Sequence, residues 1–215
     1  MATYVIGDTH FGKGTAAART LSKSISEHDQ KVTDRWNETV GDKDTVIHMG
    51  DITENNYDAI KGLKGKKTLI RGNNDTLSKR KYKKLGFKKV HNKPRETKTD
   101  ILSHEPIAVR IENAKRNIHG HTHGDDVVGL GDAKENKYLN ASMDAIGGSP
   151  MKLSDVKVRL KRSKYDGSRY RPKGRTDGKK NTKYDVAYDI KDTSEARGLP
   201  SFSKQKELAA RIANS

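Results

Sequence analysis

Short apolar runs alternate with helical patterns along the first 120 residues of the chain. Two stretches carry apolar residues at steps of three or four, which predicts helices over residues 24–40 and 57–63. Five shorter, β-prone runs predict strands. These strands cover residues 3–6, 44–49, 67–70, 99–102 and 117–118. Because strands alternate with helices, the pattern predicts an α/β fold.

A polar cluster follows each of the five predicted strands. The clusters are Gly7–His10, Gly50-Asp51, Gly72–Asp75, Ser103-His104 and Gly120–His123. In open α/β sheets, ligands bind beyond the carboxyl ends of the strands. The five clusters therefore predict one shared functional site at that edge of the fold.

Charge is distributed unevenly along the 215 residues. Residues 151–215 hold 18 basic and 8 acidic side chains, whereas residues 1–150 hold 26 and 20. Hydrophobic residues make up only 31% of the chain, which indicates that part of it does not pack into a core. We therefore predict a domain over residues 1–158 and a basic extension, flexible or dependent on a partner, over residues 159–215.

Weaker patterns near the C-terminus predict three more elements. Leu153, Val156 and Leu160 predict a helix that closes the domain. Alternation over residues 184–190 predicts a strand, and residues 203–214 have the pattern of a short helix.

Composition excludes several kinds of chemistry. The chain has no cysteine, so disulfides, zinc–thiolate sites, iron–sulfur clusters and a cysteine nucleophile are excluded. No apolar run approaches the roughly 20 residues of a membrane span. Residues 1–8 lack the basic start and cleavage pattern of a signal peptide and have the pattern of a first strand. These features predict an intracellular protein with no membrane partner.

The strand-end clusters supply oxygen and imidazole donors and no sulfur. The candidate metal ligands are Asp8, His10, Asp51, Asn73, His104, His121 and His123. Such a set suits Mn²⁺, Fe or Zn²⁺. Asp8 and His10 lie two positions apart on a segment expected to be extended, so their side chains point the same way. The same reasoning applies to His121 and His123. Asp51 can offer two oxygens and so bridge two ions, and two ions about 3.5–4 Å apart can clamp a phosphate.

The remaining histidines are assigned other roles. His48 and His119 alternate out of phase with the clusters, which predicts residues of the sheet that support the site. His28 and His91 are predicted to be surface residues.

The ordered series of motifs resembles the calcineurin-like metallophosphoesterase superfamily. These motifs are Asp8-x-His10, Gly50-Asp51, Gly72-Asn73-x-Asp75, Ser103-His104 and Gly120-His121-x-His123. More narrowly, Gly7–Gly12, Arg71-Gly72-Asn73 and Asn140–Asp144 resemble the small bacterial and bacteriophage phosphoesterases. The resemblance covers roughly residues 3–155. It implies an αββα sandwich, in which two mixed sheets pack face to face with helices outside.

The resemblance also implies how two divalent metal ions are bound. One ion takes Asp8, His10 and His123. The other takes Asn73, His104 and His121, and Asp51 bridges the two. Manganese is favoured, with iron, zinc, nickel and magnesium as alternatives. In this family a metal-bridging hydroxide attacks the phosphorus, so the resemblance implies that the chain is a metal-dependent hydrolase.

One departure from the family pattern concerns the third motif. The family has Gly-Asn-His-Asp where this chain has Gly72-Asn73-Asn74-Asp75. The missing histidine normally protonates the leaving group, and Asn74 can donate a hydrogen bond but cannot supply a proton. Asn74 and Asp75 therefore occupy the position of the family's general-acid pair. A general acid contributes about 10²–10⁴ in rate, so slow turnover is expected except with acidic leaving groups.

These observations favour a phosphodiesterase, and nucleotides or nucleic acids are candidate substrates. The alternatives are a phosphomonoesterase that acts on protein or nucleotide, and a virion-associated binding or structural protein on the same fold. The basic extension is a candidate surface for nucleic acid or a partner protein, with Tyr165 and Tyr170 available to stack on bases. The expected location is the cytoplasm of a bacterium or of a phage-infected cell.

Overall fold

The structure is a computed structural model, which describes residues 1–107, 116–123, 126–127, 138–156 and 190–191. Its eleven strands are numbered β1 to β11 in chain order. They are Thr3–Ile6, Thr45–His48, Lys66–Ile70, Phe87–His91, Arg95–Glu96, Asp100–Leu102, Arg116–His119, Asp126–Val127, Tyr138–Asn140, Met151–Lys152 and Ile190–Lys191. The helices α1 to α5 are Gly14–Arg19, Ile25–Thr39, Tyr57–Lys61, Lys79–Lys84 and Met143–Ile146.

Two mixed sheets form the framework. The first has the order β10-β1-β2-β3-β4, with β1 to β4 parallel and β10 antiparallel to β1. The second has the order β5-β6-β7-β9, with β6, β7 and β9 parallel and β5 antiparallel to β6. Strands β8 and β11 pair antiparallel with each other. Helices flank the two mixed sheets, which confirms the predicted αββα class of fold.

The hydrophobic core draws buried side chains from both sheets and from the helices. Val5 and Leu69 of the first sheet and Ile118 of the second are all fully buried in one cluster. At about 25 cal/mol for each Å² of apolar surface removed from water, this core is the main term that stabilises the fold. It holds the ends of β1, β2, β3 and β7 in fixed relation.

Helix α2 shows how local sequence sets an element. The Ser24 side chain accepts a hydrogen bond from the Glu27 N–H, and the Glu27 carboxylate accepts one from the Lys23 N–H. These bonds satisfy backbone donors that a helix start leaves open. Val32 and Trp36 lie one turn apart on the buried face, and the Trp36 indole donates to the Lys64 carbonyl. The helix predicted over 24–40 is therefore confirmed.

The sheets meet at the rim that follows β1. Gly7 forms a parallel bridge with Ser142, its N–H donates to the Ala141 carbonyl, and its carbonyl accepts from the Met143 N–H. The loop after β9 is thereby fixed beside the loop after β1. This junction brings polar residues from both sheets into one site.

The five predicted strands are confirmed, with bounds that differ by at most one residue at either end. Sequence patterns did not predict the short elements α1, α4, β4, β5, β9 and α5. In β4, two exposed lysines interrupt the apolar pattern. The boundary at residues 158 and 159 stays a prediction, and the C-terminal predictions lie outside the described residues except at 153–156 and 190. Residues 153–155 form a 3-10 turn, Val156 directly after it is helical, and the rest of the predicted closing helix lies outside the described residues.

Candidate metal centre

The predicted ligands come together where the strands of both sheets end. Asp8 and His10 follow β1, Asp51 follows β2, and Asn73 follows β3. His104 follows β6, and His121 and His123 follow β7. Five loop segments that are distant in sequence therefore contribute to a single site, as the strand-end pattern predicted.

The backbone at these ligands is not extended, and the prediction that it would be is wrong. Six described non-glycine residues have positive φ, and five of them are predicted ligands. The values are Asp8 55°, His10 45°, Asp51 55°, His121 71° and His123 52°. Each left-handed residue costs roughly 1–2 kcal/mol relative to the right-handed form. The side chains therefore converge because the chain turns sharply at five of the seven ligands, and the fold holds those turns in place.

The first cluster, which we define as Asp8, His10 and His123, lies deepest. Each residue has a ligand atom within 4.8 Å of those of the other two. Asp8 is fully buried, and only 1% of His10 is exposed. Among the described residues, Asp8 Oδ1 and both His10 ring nitrogens have no hydrogen-bond partner. Buried polar atoms are rarely left unpaired, so these atoms indicate a ligand that the protein binds here.

The second cluster, which we define as Asn73, His104 and His121, forms a triangle of donor atoms. Asn73 Oδ1 lies 3.0 Å from His104 Nε2 and 3.1 Å from His121 Nδ1, and the two nitrogens are 3.0 Å apart. Ligand atoms bonded to one ion at about 2.1 Å and at right angles stand about 3.0 Å apart. The triangle therefore has the size of one face of a metal coordination shell.

Asp51 lies between the two clusters. Its Oδ2 is 3.7 Å from His10 Nε2 and 3.6 Å from His104 Nε2, so one carboxylate contacts both clusters. Asp8, Asp51 and His104 also form a group whose ligand atoms lie within 4.8 Å of one another. The position matches that expected of a bridging carboxylate.

Neighbouring groups orient the histidine rings. His104 Nδ1 lies 2.7 Å from the Met49 carbonyl, which can only accept, so Nδ1 carries the proton and Nε2 is left to bind an ion. His123 Nδ1 lies 3.0 Å from Asp144 Oδ2, and the carboxylate orients that ring in the same way. Partners of this kind fix the ring and raise the basicity of the ligating nitrogen.

Asp144 and Arg19 are site residues that sequence reasoning missed. The Asp144 side chain is 2% exposed, and its Oδ2 forms an ion pair with Arg19 Nε at 3.0 Å. Burial alone would raise the pKa of Asp144, but the Arg19 charge and the His123 hydrogen bond outweigh it and lower the pKa. Asp144 therefore stays charged beside His123. It belongs to the Asn140–Asp144 motif, which was the available signal.

Asn74 contacts the bridging residue directly. Its N–H donates to Asp51 Oδ1 at 2.9 Å, and its side-chain amide donates to Asp51 Oδ2 at 2.6 Å. Asn74 is half-buried beside the exposed Asn73, so it lies at the accessible side of the site. Its role as a substitute for the family's acid stays a prediction.

Asp75 lies beneath the site rather than at its accessible side. Its carboxylate accepts hydrogen bonds from the N–H groups of Asp51, Ile52 and Gly72, and from the Tyr82 hydroxyl. Burial raises the pKa of Asp75, which the backbone hydrogen bonds partly offset. These contacts tie the loop after β3 to the loop after β2. Asp75 thus has a structural role, and its predicted part in leaving-group protonation stays a prediction.

Two other histidine predictions have different outcomes. His28 is fully buried, so its assignment to the surface is wrong. Its ring spans Thr9 O, at 3.0 Å from Nε2, and Thr20 Oγ1, at 2.9 Å from Nδ1, which ties α2 to the first ligand loop. His48 is buried at the end of β2 and contacts Thr9 Oγ1 through Nε2 at 3.1 Å, as expected of a residue that supports the site.

Two glycines allow the loops to approach this closely. A Cβ on Gly120 would lie 2.4 Å from Asp8 Oδ2. Gly50 has a φ of +91°, and a Cβ there would lie 2.5 Å from the Gly72 nitrogen. A side chain at either position would push one ligand loop away from another.

The donor set and its geometry fit divalent metal ions. Carboxylate, amide and imidazole donors converge from both sheets, and unpaired buried atoms face one another in the first cluster. The carboxylates offset the charge of an ion, while neutral imidazoles and the amide add none. The residues that would hold two ions are those of the two clusters, with Asp51 shared.

No helix within the described part of the chain combines the length and hydropathy that crossing a membrane requires.

Comparison with known proteins agrees with the fold. The family model described as calcineurin-like phosphoesterase matches residues 1–166. An uncharacterised protein of Methanocaldococcus jannaschii is 29% identical over 172 residues, covering 73% of this chain and 89% of that protein. A protein of unknown function from Aquifex aeolicus has a similar fold, with a TM-score of 0.54, 20% identity, and coverage of 74% of this chain and 99% of that chain.

A nuclease of Pseudomonas putida is a weaker structural neighbour. It has a TM-score of 0.41 and 22% identity, and the match covers 56% of this chain and 61% of that one. The family model spans most of the chain and all of the predicted ligands. The chain therefore belongs to the calcineurin-like phosphoesterase family.

Proposed function

We propose that this chain is a dinuclear metal-dependent phosphodiesterase. The observation that carries the proposal is the position of Asp51 Oδ2, which lies 3.7 Å from the His10 ring nitrogen and 3.6 Å from the His104 ring nitrogen. This arrangement suits two ions that share one carboxylate. When bound, two such ions would activate a water and stabilise charge on the phosphoryl oxygens.

The metal proposed is manganese, with iron, zinc, nickel or magnesium as alternatives. The seven ligands comprise two carboxylates, one amide and four imidazoles, and none is sulfur. Such a set favours ions of intermediate hardness. Asp144 and Met49 supply the contacts that orient His123 and His104 towards the ions.

The preference for diesters is supported by the shape of the adjoining cleft. A cleft of about 320 Å³ begins at Asn73 and His104 and continues past Asn92 and Lys93. It offers room for the second substituent that a phosphodiester has and a monoester lacks. Lys93 and Arg71 line it and place positive charge beside an anionic substrate.

Asn74 limits which leaving groups the site can release. It can hold a leaving oxygen by hydrogen bonding, but it cannot protonate that oxygen. The proposal is that acidic leaving groups, such as p-nitrophenolate, depart readily and simple alkoxides depart slowly. The difference expected from a missing general acid is about 10²–10⁴ in rate.

The test compares bis(p-nitrophenyl) phosphate with p-nitrophenyl phosphate under the same Mn²⁺ concentration, with Asp51→Asn as the inactive control. The proposal expects the wild type to hydrolyse the diester faster, and the control to hydrolyse neither. Faster hydrolysis of the monoester would identify a phosphomonoesterase instead. Metal binding without any turnover of either ester would refute the enzymatic proposal and favour a binding protein on this fold.

A further inference from the structure

A dense basic segment lies outside the metal centre. From Lys79 to Arg95, nine of 17 residues are lysine or arginine and none is acidic. All nine side chains are exposed in the structure. The segment comprises α4, β4, the loop that follows and the first residue of β5. We name the part formed by Lys79, Arg80, Lys83, Lys88 and Lys89 the α4–β4 surface.

The positive charge on this surface is uncompensated within the described part of the chain. None of the nine cations forms an ion pair with a described carboxylate, whereas Lys13, Lys31 and Lys61 elsewhere all do. His91 lies among these cations. Burial lowers the pKa of His91, and the charges of Arg95, Lys89 and Lys79 lower it further. Such a concentration of like charge is unfavourable in isolation and is relieved by a bound anion.

The α4–β4 surface is continuous with the metal centre. Its five cations and His91 line a groove of about 500 Å³. The next residues, Asn92 and Lys93, line the cleft that contains Asn73 and His104. β3 and β4 are paired here, and the Arg71 N–H donates to the His91 carbonyl at 2.9 Å. Glu105 is the single carboxylate among the described residues that line this cleft, and the groove has none.

A simpler explanation applies to part of this charge. β4 is an edge strand, and lysines on edge strands prevent pairing with another chain. Lys88 and Lys89 would satisfy that need alone. Protection of an edge strand does not account for the further cations on α4 or for the continuity of the groove with the cleft at the metal centre.

We propose that the α4–β4 surface binds the phosphate backbone of a nucleic acid and leads it into the metal centre. The proposal rests on the proposed function, because a polymer linked by phosphodiesters presents to the surface the same group that the centre would hydrolyse. The described residues with large exposed apolar side chains are Met1, Leu21 and Tyr57, and none lies on this surface. A membrane, which binds through apolar insertion as well as charge, is therefore a poorer fit.

The surface is suited to backbone contacts rather than base contacts. Tyr82 is the aromatic residue of α4, and it is 1% exposed, so it cannot stack on a base. Binding through phosphates alone is independent of sequence and weakens steeply with salt. Both properties can be measured without turnover.

The test measures binding of a fluorescein-labelled 20-nucleotide DNA by anisotropy, in EDTA, from 50 to 200 mM salt. The full-length wild type is compared with a triple charge reversal, Lys83→Glu, Lys88→Glu and Lys89→Glu. The matched control is Lys43→Glu, Lys64→Glu and Lys66→Glu, three exposed lysines near the opposite ends of β2 and β3. If the charge-reversal variant fails to fold, a variant with glutamine at positions 83, 88 and 89 replaces it in the same assay.

The proposal expects the surface variant to bind about tenfold more weakly at 100 mM salt or lower, with a salt slope reduced by about 2–3. The control should bind like the wild type. Equal binding by both variants would overturn the proposal and place the contacts in the basic extension. An absence of wild-type binding at 50 mM salt would also overturn it. Because the assay needs no turnover, these results are separate from failure of the hydrolysis assay.

Discussion

The two clusters of the metal centre use similar donors but are held in different ways. In the first cluster Asp8 and His10 are buried, and His123 is oriented by a charged, buried Asp144. In the second cluster Asn73 is exposed and His121 is partly exposed. Similar donors thus lie among mostly buried side chains on one side of Asp51 and beside an open cleft on the other. We infer that the first ion is held tightly and that the second exchanges and faces the substrate.

The largest expected effect comes from Gly120→Ala. The added methyl would lie 2.4 Å from Asp8 Oδ2, so Asp8 would have to leave the position in which it could hold the first ion. We expect the affinity for that ion to fall by more than about 100-fold, beyond the 10–100-fold typical of losing an outer-shell partner. Isothermal titration with Mn²⁺ measures this. Gly62→Ala is the control, because its methyl would make only ordinary contact with the Ala59 carbonyl at 3.6 Å. Equal loss in both variants would contradict the steric explanation.

Asp144→Asn weakens the first site without removing a ligand. The amide keeps the shape of the side chain but loses the charge that orients His123 and balances Arg19. We expect a 10–100-fold loss of affinity at the tighter site, with the weaker site unchanged. Asp155→Asn, at an exposed carboxylate, is the matched control. A fall in melting temperature with unchanged metal affinity would show that Asp144 only stabilises the fold.

Asn73→Asp should reduce the difference in metal affinity between the two clusters. The substitution keeps the oxygen that lies 3.0 Å from His104 Nε2 and adds a negative charge to the second cluster. We expect the weaker ion to bind about tenfold more tightly, since an added charge at contact distance is worth at least about 1 kcal/mol even in water. Asn92→Asp adds the same charge elsewhere in the cleft. Equal gains in both variants would mean that the effect is long-range attraction rather than ligation.

The smallest expected effect is on how the free energy of unfolding changes with pH. Burial lowers the pKa of His28, and burial lowers the pKa of His48 to about 3. Since both pKa values are depressed on folding, the unfolded chain binds more protons below about pH 6.5. The contribution of these two histidines to the free energy of unfolding is therefore fully present above pH 6.5. It is lost as the pH falls below that value, by at most about 1.4 kcal/mol per pH unit for each group.

Urea unfolding of the metal-free protein between pH 7 and pH 5 measures this slope. In His48→Gln the slope should be smaller, whatever the absolute stability. An unchanged slope would show that folding does not lower the pKa of His48. His91→Gln is the control, because His91 is only partly buried and should contribute less.

The sequence predicted which residues form the site, but not the backbone conformation or the neighbouring side chains that hold them there. Strand-end clusters identified all seven residues that the structure brings together, because each follows a short apolar run at the same edge of the fold. The left-handed turns at Asp8 and Asp51 escaped prediction, since neither is a glycine and only the tertiary contacts impose them. The role of Asp144 escaped as well, because its link to His123 spans 21 positions and its place in the Asn140–Asp144 motif does not show that contact.

The α4–β4 surface was not predicted from the sequence, for a different reason. Over residues 1–150 as a whole, 20 acidic side chains offset most of the 26 basic ones. A shorter window shows nine cations and no acid between Lys79 and Arg95. Whether such a run forms one surface depends on how α4 and β4 pack, which periodicity does not show.

The most direct test of the account is the stoichiometry of Mn²⁺ binding to the chelator-stripped, full-length protein, measured by titration calorimetry. The account predicts two ions per chain with clearly different affinities, and weaker binding of both in Asp51→Asn, because that carboxylate lies between the clusters. A single ion per chain would contradict it. So would two ions of which Asp51→Asn weakens only one.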